Sequence, residues 1–501
     1  MGMIAVTILI PAFGALVLAL LDNDGLAPRV VALVASLAAF AAAIALLVNF
    51  DTSDPSLQLT EQVAWIPAIG ASISLAVDGV SLALILLTTF LTPLIIIASW
   101  DTITDRVRGY LAAFLLLEAA VLGVFSATDL LLFYVFFEFS LVPMYLIIGI
   151  WGGAARKAAA VKFFLYTLLG GLLMLVGILY LYGQTGSFAY ADVLALNLTG
   201  TEQAWLLTAF LIAFAVKVPL FPVHTWLPDA HTEAPTGGSV FLAGVLLKLG
   251  TFGLLRYALP YFPEATRDFA PWLLAISVVG ILYGAIVALM QADIKRLIAY
   301  SSVSHMGFVV LGTFALTSTA TSASVVQMVN HGLSTGALFL LVGFLYERRH
   351  TRQIAAFGGL ARRVPVMAGL WLVVSLSSLA LPGLNGFVGE FPILLGTFQV
   401  NRTAGVLAAF GAVLAALYLL WAYQRMFHGP LEGADNENTS DLKAREVGVL
   451  VPLVVVIVAI GLYPKPLYDL VEPSVDRVLV EVGVEVDSDD VEPTTAEEDD
   501  A

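Results

Sequence analysis

The sequence predicts an all-α polytopic membrane protein of about fourteen transmembrane helices, with two inverted five-helix repeats and broken helices 7 and 12. Three observations carry that reading. Apolar stretches of about 20 residues recur along most of the chain, each long enough to cross a hydrocarbon core of about 30 Å as a helix. Only 12% of the 501 residues are charged, against 59% hydrophobic, where a soluble globular chain carries about 25% charged residues. The basic residues alternate between successive loops. Barrel strands would be shorter and would alternate in polarity, and these segments do neither.

In chain order, the first apolar segment, 3–21, has no Lys or Arg before it. A secretory signal would have a basic start, so the segment reads as a retained helix. Further spans fall near 28–50, 75–100, 110–126, 130–150, 159–182, 202–219 and 240–259. The remainder lie near 272–290, 297–316, 324–346, 367–398, 405–427 and 447–462. With the amino terminus outside, sixteen basic residues fall in inner loops and five in outer ones, leaving Lys217 and Lys248 inside predicted spans. The positive-inside rule then places both termini outside a cell (plasma) membrane.

Two spans are interrupted, one at Lys217-Val-Pro-Leu-Phe-Pro222 and the other at Leu381-Pro-Gly-Leu-Asn-Gly386. Proline and glycine free backbone groups that a membrane tolerates only beside protein or water. These are the seventh and twelfth spans, the fourth position in each of two five-helix units. Five is odd, so the units would lie upside down relative to each other, an arrangement found in transporters. The chain therefore divides into helices 1–3 (1–109), a first repeat (110–260), a second repeat (261–430), and a last span with a C-terminal segment (431–486). An acidic tail (487–501) follows, with eight Asp or Glu, a composition that predicts disorder. The formal net charge of −15 would also suit a high-salt exterior.

The chain has no cysteine, which excludes disulfides and cysteine-ligated iron–sulfur clusters. The segment His224-Thr-Trp-Leu-Pro-Asp229-Ala-His231 fits no common zinc spacing, so no metal site is expected. Nothing suggests nucleotide or nucleic-acid binding, or a hydrolytic nucleophile.

The informative residues are the ionisable ones inside spans, because a charge at the bilayer centre costs roughly 2.5–3.5 kcal/mol on insertion scales. Glu138 lies deep in the fifth span, and Lys217 beside the first break is its natural partner. The pair either holds two helices together or sets the proton affinity of the lysine. Lys248 is mid-span, too far from a helix end to snorkel, and a desolvated lysine exchanges protons near neutral pH. His305 and His331 follow in the tenth and eleventh spans, where histidine serves either as a helix–helix hydrogen-bonding group or as a relay. Glu390, beside the second break, would end the row. Glu118 is a further buried carboxylate of unassigned role.

These residues sit in stretches that closely resemble the antiporter-like chain M family of proton-pumping NADH:quinone oxidoreductase, respiratory complex I, equivalent to mitochondrial subunit 4. The stretches are FYVFFEFSLVPMYLIIGIWGG (133–153), KVPLFPVHTWLPDAHTEAPTGGSVFLAGVLLKLG (217–250), DIKRLIAYSSVSHMGF (293–308), NHGLSTGALFLLVGFLYERRHTRQI (330–354) and LPGLNGFVGEF (381–391). The resemblance implies a proton relay of Lys248, His305, His331 and Glu390, with Glu138 and Lys217 as a modulating ion pair. Most sister chains have lysine at the Glu390 position. Glutamate there, with the HTEAPTGGS run, favours chain M over its sister chains and over Mrp cation/proton antiporter subunits; the equivalent subunits of membrane hydrogenases and deazaflavin-dependent dehydrogenases stay open as alternatives. The resemblance also implies a non-redox translocase subunit that binds no cofactor itself. Flavin, iron–sulfur clusters and quinone would belong to partner subunits. Sister antiporter-like chains and the lipid bilayer would be its neighbours.

Overall fold

A computed structural model describes residues 2–22 and 25–486; the acidic run 487–501 lies outside the described residues. Helices dominate, as expected. In order they are α1 (Met3–Ala19), α2 (Leu26–Val48), α3 (Gly79–Ala98), α4 (Val107–Ser126), α5 (Leu130–Phe139), α6 (Leu141–Trp151) and α7 (Arg156–Thr185). Then come α8 (Tyr190–Leu194), α9 (Gly200–Lys217), α10 (Trp226–Glu233), α11 (Thr236–Phe241), α12 (Lys248–Gly253) and α13 (Leu259–Tyr261). The rest are α14 (Pro263–Leu289), α15 (Ile294–Phe314), α16 (Ser318–Arg349), α17 (Pro365–Ser378), α18 (Asn385–Val400), α19 (Arg402–Phe427), α20 (Ala434–Glu437), α21 (Ala444–Leu462) and α22 (Lys465–Glu481).

Among the described residues, eleven continuous or stacked helices are long and apolar enough to cross a membrane. The segment Met3–Ala19 is shorter, and the two interrupted spans are divided, α9 from α10 and α17 from α18. Burial sorts the helices into inner and outer ones. The apolar windows of Thr236–Tyr261 and Ser318–Arg349 are 100% buried, whereas those of α2 and α21 are 33% and 28% buried. The outer helices therefore carry bare apolar side chains such as Phe13, Leu169 and Val413, the surface a bilayer covers.

Two elements were not expected. Residues 58–77 form an antiparallel hairpin, β1 (Gln58–Ile66) with β2 (Ala71–Val77), where the sequence reading had only a loop running into a span. Gly70 closes its turn with φ +68°, a left-handed conformation that favours glycine. Asp129 anchors the hairpin: its Oδ2 accepts from the Ser72 amide at 2.9 Å, and its Oδ1 caps α5 through the Leu131 and Leu132 amides. The second is α22, which lies in the region expected to be a plain C-terminal segment. It buries Leu470, Val471, Val475, Val478 and Leu479 on one face, the spacing of an amphipathic helix, and packs against α3 and α16.

Both expected breaks are present. α9 ends at Lys217, and the indole of Trp226 donates to the Val216 carbonyl at 2.8 Å, satisfying a group that the interruption frees. The second break separates α17 from α18. Gly386 is required there, because a Cβ would stand 2.0 Å from the Ser377 carbonyl oxygen.

Two further interruptions carry no proline signal at the break itself. The fifth span is divided at Ser140 into α5 and α6. The eighth contains two π-helical turns, Leu242–Leu246 and Leu254–Ala258, on either side of α12. A π turn inserts one residue into the helical ladder and re-aims the side chains beside it. Lys248 is the first residue of the short stretch between the two.

Candidate functional site: a buried file of titratable side chains

Lys248 is completely buried, at the centre of one of the two fully enclosed spans. Its ammonium nitrogen donates to the Ala243 carbonyl, which belongs to the first π turn. It also lies 2.7 Å from Nδ1 of His331 on α16. The irregular turn thus supplies a backbone acceptor that a regular helix would keep for its own ladder.

The His331 ring centroid is 6.1 Å from that of His305 on α15. His305 Nδ1 is 2.6 Å from Glu390 Oε1, and its Nε2 is 3.2 Å from the Tyr418 hydroxyl. Gln327 Nε2 donates to the same Glu390 oxygen at 2.9 Å. The spatial order is therefore Lys248, His331, His305, Glu390, with the two histidines reversed relative to the chain.

A small polar cavity of about 10 Å³ lies between the two histidines, lined by Gln327, Asn330, Ser334, Ser377 and Gly386 among others. Four buried atoms around this junction have no hydrogen-bond partner among the described residues: His331 Nε2, Asn330 Oδ1, Gln327 Oε1 and Glu390 Oε2. The second break closes the far side. Asn385 Oδ1 accepts from the Ser377 hydroxyl at 2.5 Å and the Ser334 hydroxyl at 3.3 Å, while Asn330 Nδ2 donates to the Asn385 carbonyl at 2.6 Å.

Glu138 and Lys217, expected as a modulating pair, make no direct hydrogen bond or salt bridge among the described residues. Lys217 instead donates to the Ser140 hydroxyl at 3.4 Å and stands 4.7 Å from the centroid of the Phe137 ring. Adjacent residues on a helix point about 100° apart, so the face of α5 that meets Lys217 through Phe137 is not the one bearing Glu138. The Glu138 carboxyl packs into the space beside Gly171 on α7, where a Cβ would lie 1.7 Å from its Oε1. Neither Glu138 oxygen has a hydrogen-bond partner among the described residues, and the same holds for Glu118 on α4.

The two histidines flanking Asp229 point to separate places. His224 stacks on Phe221 and meets the edge of Tyr283, while His231 stacks on Phe339 at 4.6 Å. Asp229 binds Lys162 at 2.7 Å and Arg296 at 3.2 Å.

Residues that the sequence reading missed include Gln327, Asn330, Ser334, Ser377, Asn385 and Tyr418. A signal for three of them existed. Gln327, Asn330 and Ser334 recur at three- and four-residue spacing along α16, which makes a polar stripe on the face that carries His331.

Two family models cover most of the chain. Residues 127–415 match the membrane domain described as NADH:quinone oxidoreductase/Mrp antiporter, and residues 6–125 match the amino terminus of NADH-ubiquinone oxidoreductase chain 4. NADH-quinone oxidoreductase subunit M of Rhodobacter capsulatus is 47% identical over 462 residues, 90% of each chain. A chain of respiratory complex I from Thermus thermophilus superposes with a TM-score of 0.88 at 33% identity, over 96% of this chain and all of that one. A chain of the Mrp complex from a Dietzia species shares the fold, with a TM-score of 0.83 at 21% identity over 96% of this chain and all of that one. Inner helices with a buried lysine–histidine–glutamate file, two broken spans and this degree of identity together place the chain in the family of antiporter-like membrane subunits called subunit M, or chain 4, of NADH-quinone oxidoreductase.

Proposed function

We propose that this chain is a non-redox subunit that translocates protons while a partner arm of the same complex passes electrons from NADH to a quinone. The observation that carries the proposal is the contact sequence Lys248–His331 at 2.7 Å and His305–Glu390 at 2.6 Å, with a small polar cavity between the histidines. A cavity of that size admits about one water. In the relay, the Lys248 ammonium gives a proton to His331 Nδ1, and His331 releases another from Nε2. A water in the cavity, held by the Asn330 and Gln327 amide oxygens, carries the proton onward to the His305–Glu390 pair. Glu390 Oε2 is the unpartnered end of that pair.

Glu138 and Lys217 lie upstream of this file and act on it through space. Lys217, close to Phe137 and a single hydroxyl, has few groups to stabilise its charge, so a small approach of the Glu138 carboxylate changes its hold on a proton. The chain lies in a bilayer with fourteen spans, counting Met3–Ala19 and each broken pair as one. Residues 110–260 and 261–430 are the two inverted repeats, and both termini are outside. Flavin, iron–sulfur clusters and quinone belong to other subunits, and sister antiporter-like chains are membrane neighbours.

The test is Lys248→Ala in the intact complex reconstituted into vesicles. Proton uptake should be lost from an assembled complex. Normal pumping by that variant would leave the buried charges with a purely structural role. The subunit composition of the purified complex separates a quinone reductase from an assembly of antiporter chains alone.

A further inference from the structure

The relay reading uses Lys248 at the start of α12 and the middle of α16; a second buried polar cluster lies at the π turn after α12 and at the start of α16. Arg256, in the π turn after α12, pairs with Asp78 at 2.7 Å, both side chains being 3% exposed. Arg256 also donates to the Ser81 hydroxyl at 2.7 Å. The other Asp78 oxygen receives Arg477 of α22 at 3.2 Å. Arg477 further holds the Pro55 carbonyl at 2.9 Å, below the hairpin. The neighbouring residue on α22, Asp476, accepts from the Ser318 hydroxyl at 2.5 Å. Ser318 is the first residue of α16, the helix that carries Gln327, Asn330 and His331.

Two consecutive residues of one amphipathic helix therefore fasten two different helices. Asp476 grips the start of α16 directly, and Arg477 grips the Lys248 span through Asp78 and Arg256. A third contact seats α22 tightly: the Ser474 hydroxyl accepts from the Gly79 amide at 2.9 Å, and a Cβ at Gly79 would lie 1.6 Å from the Leu470 carbonyl oxygen. The helices fastened in this way are the two whose separation sets the Lys248–His331 contact. That contact is sensitive, since a donor–acceptor distance of about 3.6 Å is no longer a hydrogen bond. The six-residue α12 is flanked by two irregular turns, so its register depends on what holds each end.

We infer that Asp476 and Arg477 form a clasp that fixes α12 against α16 and thereby holds Lys248 in transfer distance of His331. Both are positioning residues; neither touches the moving proton. The inference rests on the relay reading, so the experiment must let the two fail separately.

The double variant Asp476→Leu/Arg477→Gln is compared with the conservative pair Asp476→Asn/Arg477→Lys, with Ser318→Ala and with Lys248→Ala, all as whole complexes in vesicles. NADH oxidation by a soluble acceptor checks the electron-transfer arm. Protons pumped per electron are then measured across pH. The double variant should retain the soluble-acceptor activity while its pumping ratio falls about fivefold, equivalent to about 1 kcal/mol at 1.4 kcal/mol per tenfold. Its pH profile should move, because the lysine loses its imidazole partner. The conservative pair keeps an acceptor for the Ser318 hydroxyl and a cation for Asp78, and should pump within about twofold of the parent, since the two contacts are weakened but not abolished. If the double variant does not assemble, Ser318→Ala decides, since it opens the same grip without altering α22. A parent-like ratio and pH profile in an assembled clasp variant overturns the inference, as does equal loss in the conservative pair. Loss in Lys248→Ala with none in the clasp variants sinks the clasp alone, whereas normal pumping by Lys248→Ala sinks the relay.

Discussion

Replacing Glu390 by glutamine keeps volume and most hydrogen-bonding geometry but removes the charge. In the parent, one carboxylate oxygen receives both His305 at 2.6 Å and Gln327 at 2.9 Å. A hydrogen bond to a charged group contributes about 1.5–3 kcal/mol and a neutral one about 1 kcal/mol, so with two bonds weakened the structural loss is about 2 kcal/mol. That is too little to prevent assembly of so extensively buried a bundle. The effect on a passing proton is larger. A protonated His305 loses a counter-charge whose attraction at contact distance is about 4 kcal/mol at an effective dielectric constant of about 20. At about 1.4 kcal/mol per tenfold, the protonated intermediate becomes rarer by about three orders of magnitude. Pumping through that step then falls with that population. Aspartate shortens the reach by about 1.5 Å, one carbon–carbon bond, and a bridging water can restore the link, so Glu390→Asp should keep substantial pumping. Glu390→Lys keeps a titratable group and should retain some; Glu390→Ala should lose most. The assay is proton uptake by reconstituted vesicles with quinone reduction followed in parallel. Equal pumping by the Asp, Ala and Gln variants would show that no proton passes through this position.

Glu138→Gln should assemble normally, because no direct ion pair is lost, and should lower pumping through its effect on Lys217; disappearance of the complex from the membrane would instead assign Glu138 a structural role. Asn330→Leu removes an amide oxygen from the cavity between the histidines and its hold on the Asn385 carbonyl. It should depress pumping more than quinone reduction, with a raised solvent-deuterium isotope effect, and an unchanged proton-to-electron ratio would exclude a water held there. Asp476 lies outside the spans, and burial raises its carboxyl above the ordinary 3.8, opposed by the Ser318 hydroxyl. The folded state then binds the proton more tightly than the unfolded chain, so this contribution favours folding at low pH and is lost as pH rises from 3.8 through the raised value. Asp476→Asn should remove that dependence. The apparent unfolding temperature of the variant should exceed the parent's above this window and match it below; parallel curves at all pH values would contradict the sign.

Much of the architecture was legible because a bilayer imposes a simple code. Apolar length marked the spans, and Pro219, Pro222, Pro382, Gly383 and Gly386 marked the two breaks. The titratable residues were legible because each is costly in an apolar span. What was not legible depends on tertiary partners. Nothing in Leu242–Leu246 announces a π turn, since the buried span packs through neighbours remote in sequence, with Gly244 admitting the Leu91 side chain and Gly250 the backbone of Phe214 and Val218. The order of the histidines depends on how α15 and α16 cross. That Lys217 meets α5 through Phe137 and Ser140 was not legible, because sequence gives charge but not the face of α5 that meets α9. The hairpin was overlooked because hydrophobic length took precedence over the short alternating run of β2, and α22 because its apolar face is one-sided and short.

Glu118 aside, which lies within the uninterrupted α4, irregular backbone accompanies each charged residue of the file and of the Glu138/Lys217 pair. Glu138 is followed, after Phe139, by the discontinuity at Ser140; Lys217 ends α9; Lys248 follows one π turn and precedes another; Glu390 follows the second break by a little over one turn. In contrast, His305 and His331 sit within α15 and α16, which run uninterrupted. A lysine or glutamate is charged in its ordinary state, and in an apolar span that charge needs polar groups that a regular helix has already committed to its own ladder. Opening the ladder releases them, as the Ala243 carbonyl shows for Lys248. Histidine is neutral in its ordinary state near pH 7 and needs only a donor and an acceptor, which neighbouring side chains provide. The open turns therefore mark where charge would be stored between steps, and the intact helices where it would only pass. On this argument, closing the π turn before Lys248 by deleting one residue of Leu242–Leu246 should disable the lysine even though its side chain is retained. Deletion also rotates the rest of the span by about 100°, so the informative control is the same deletion paired with an insertion after Gly253, restoring the register of Arg256. If that compensated variant pumps as the parent does, the open turn is not what makes Lys248 serviceable.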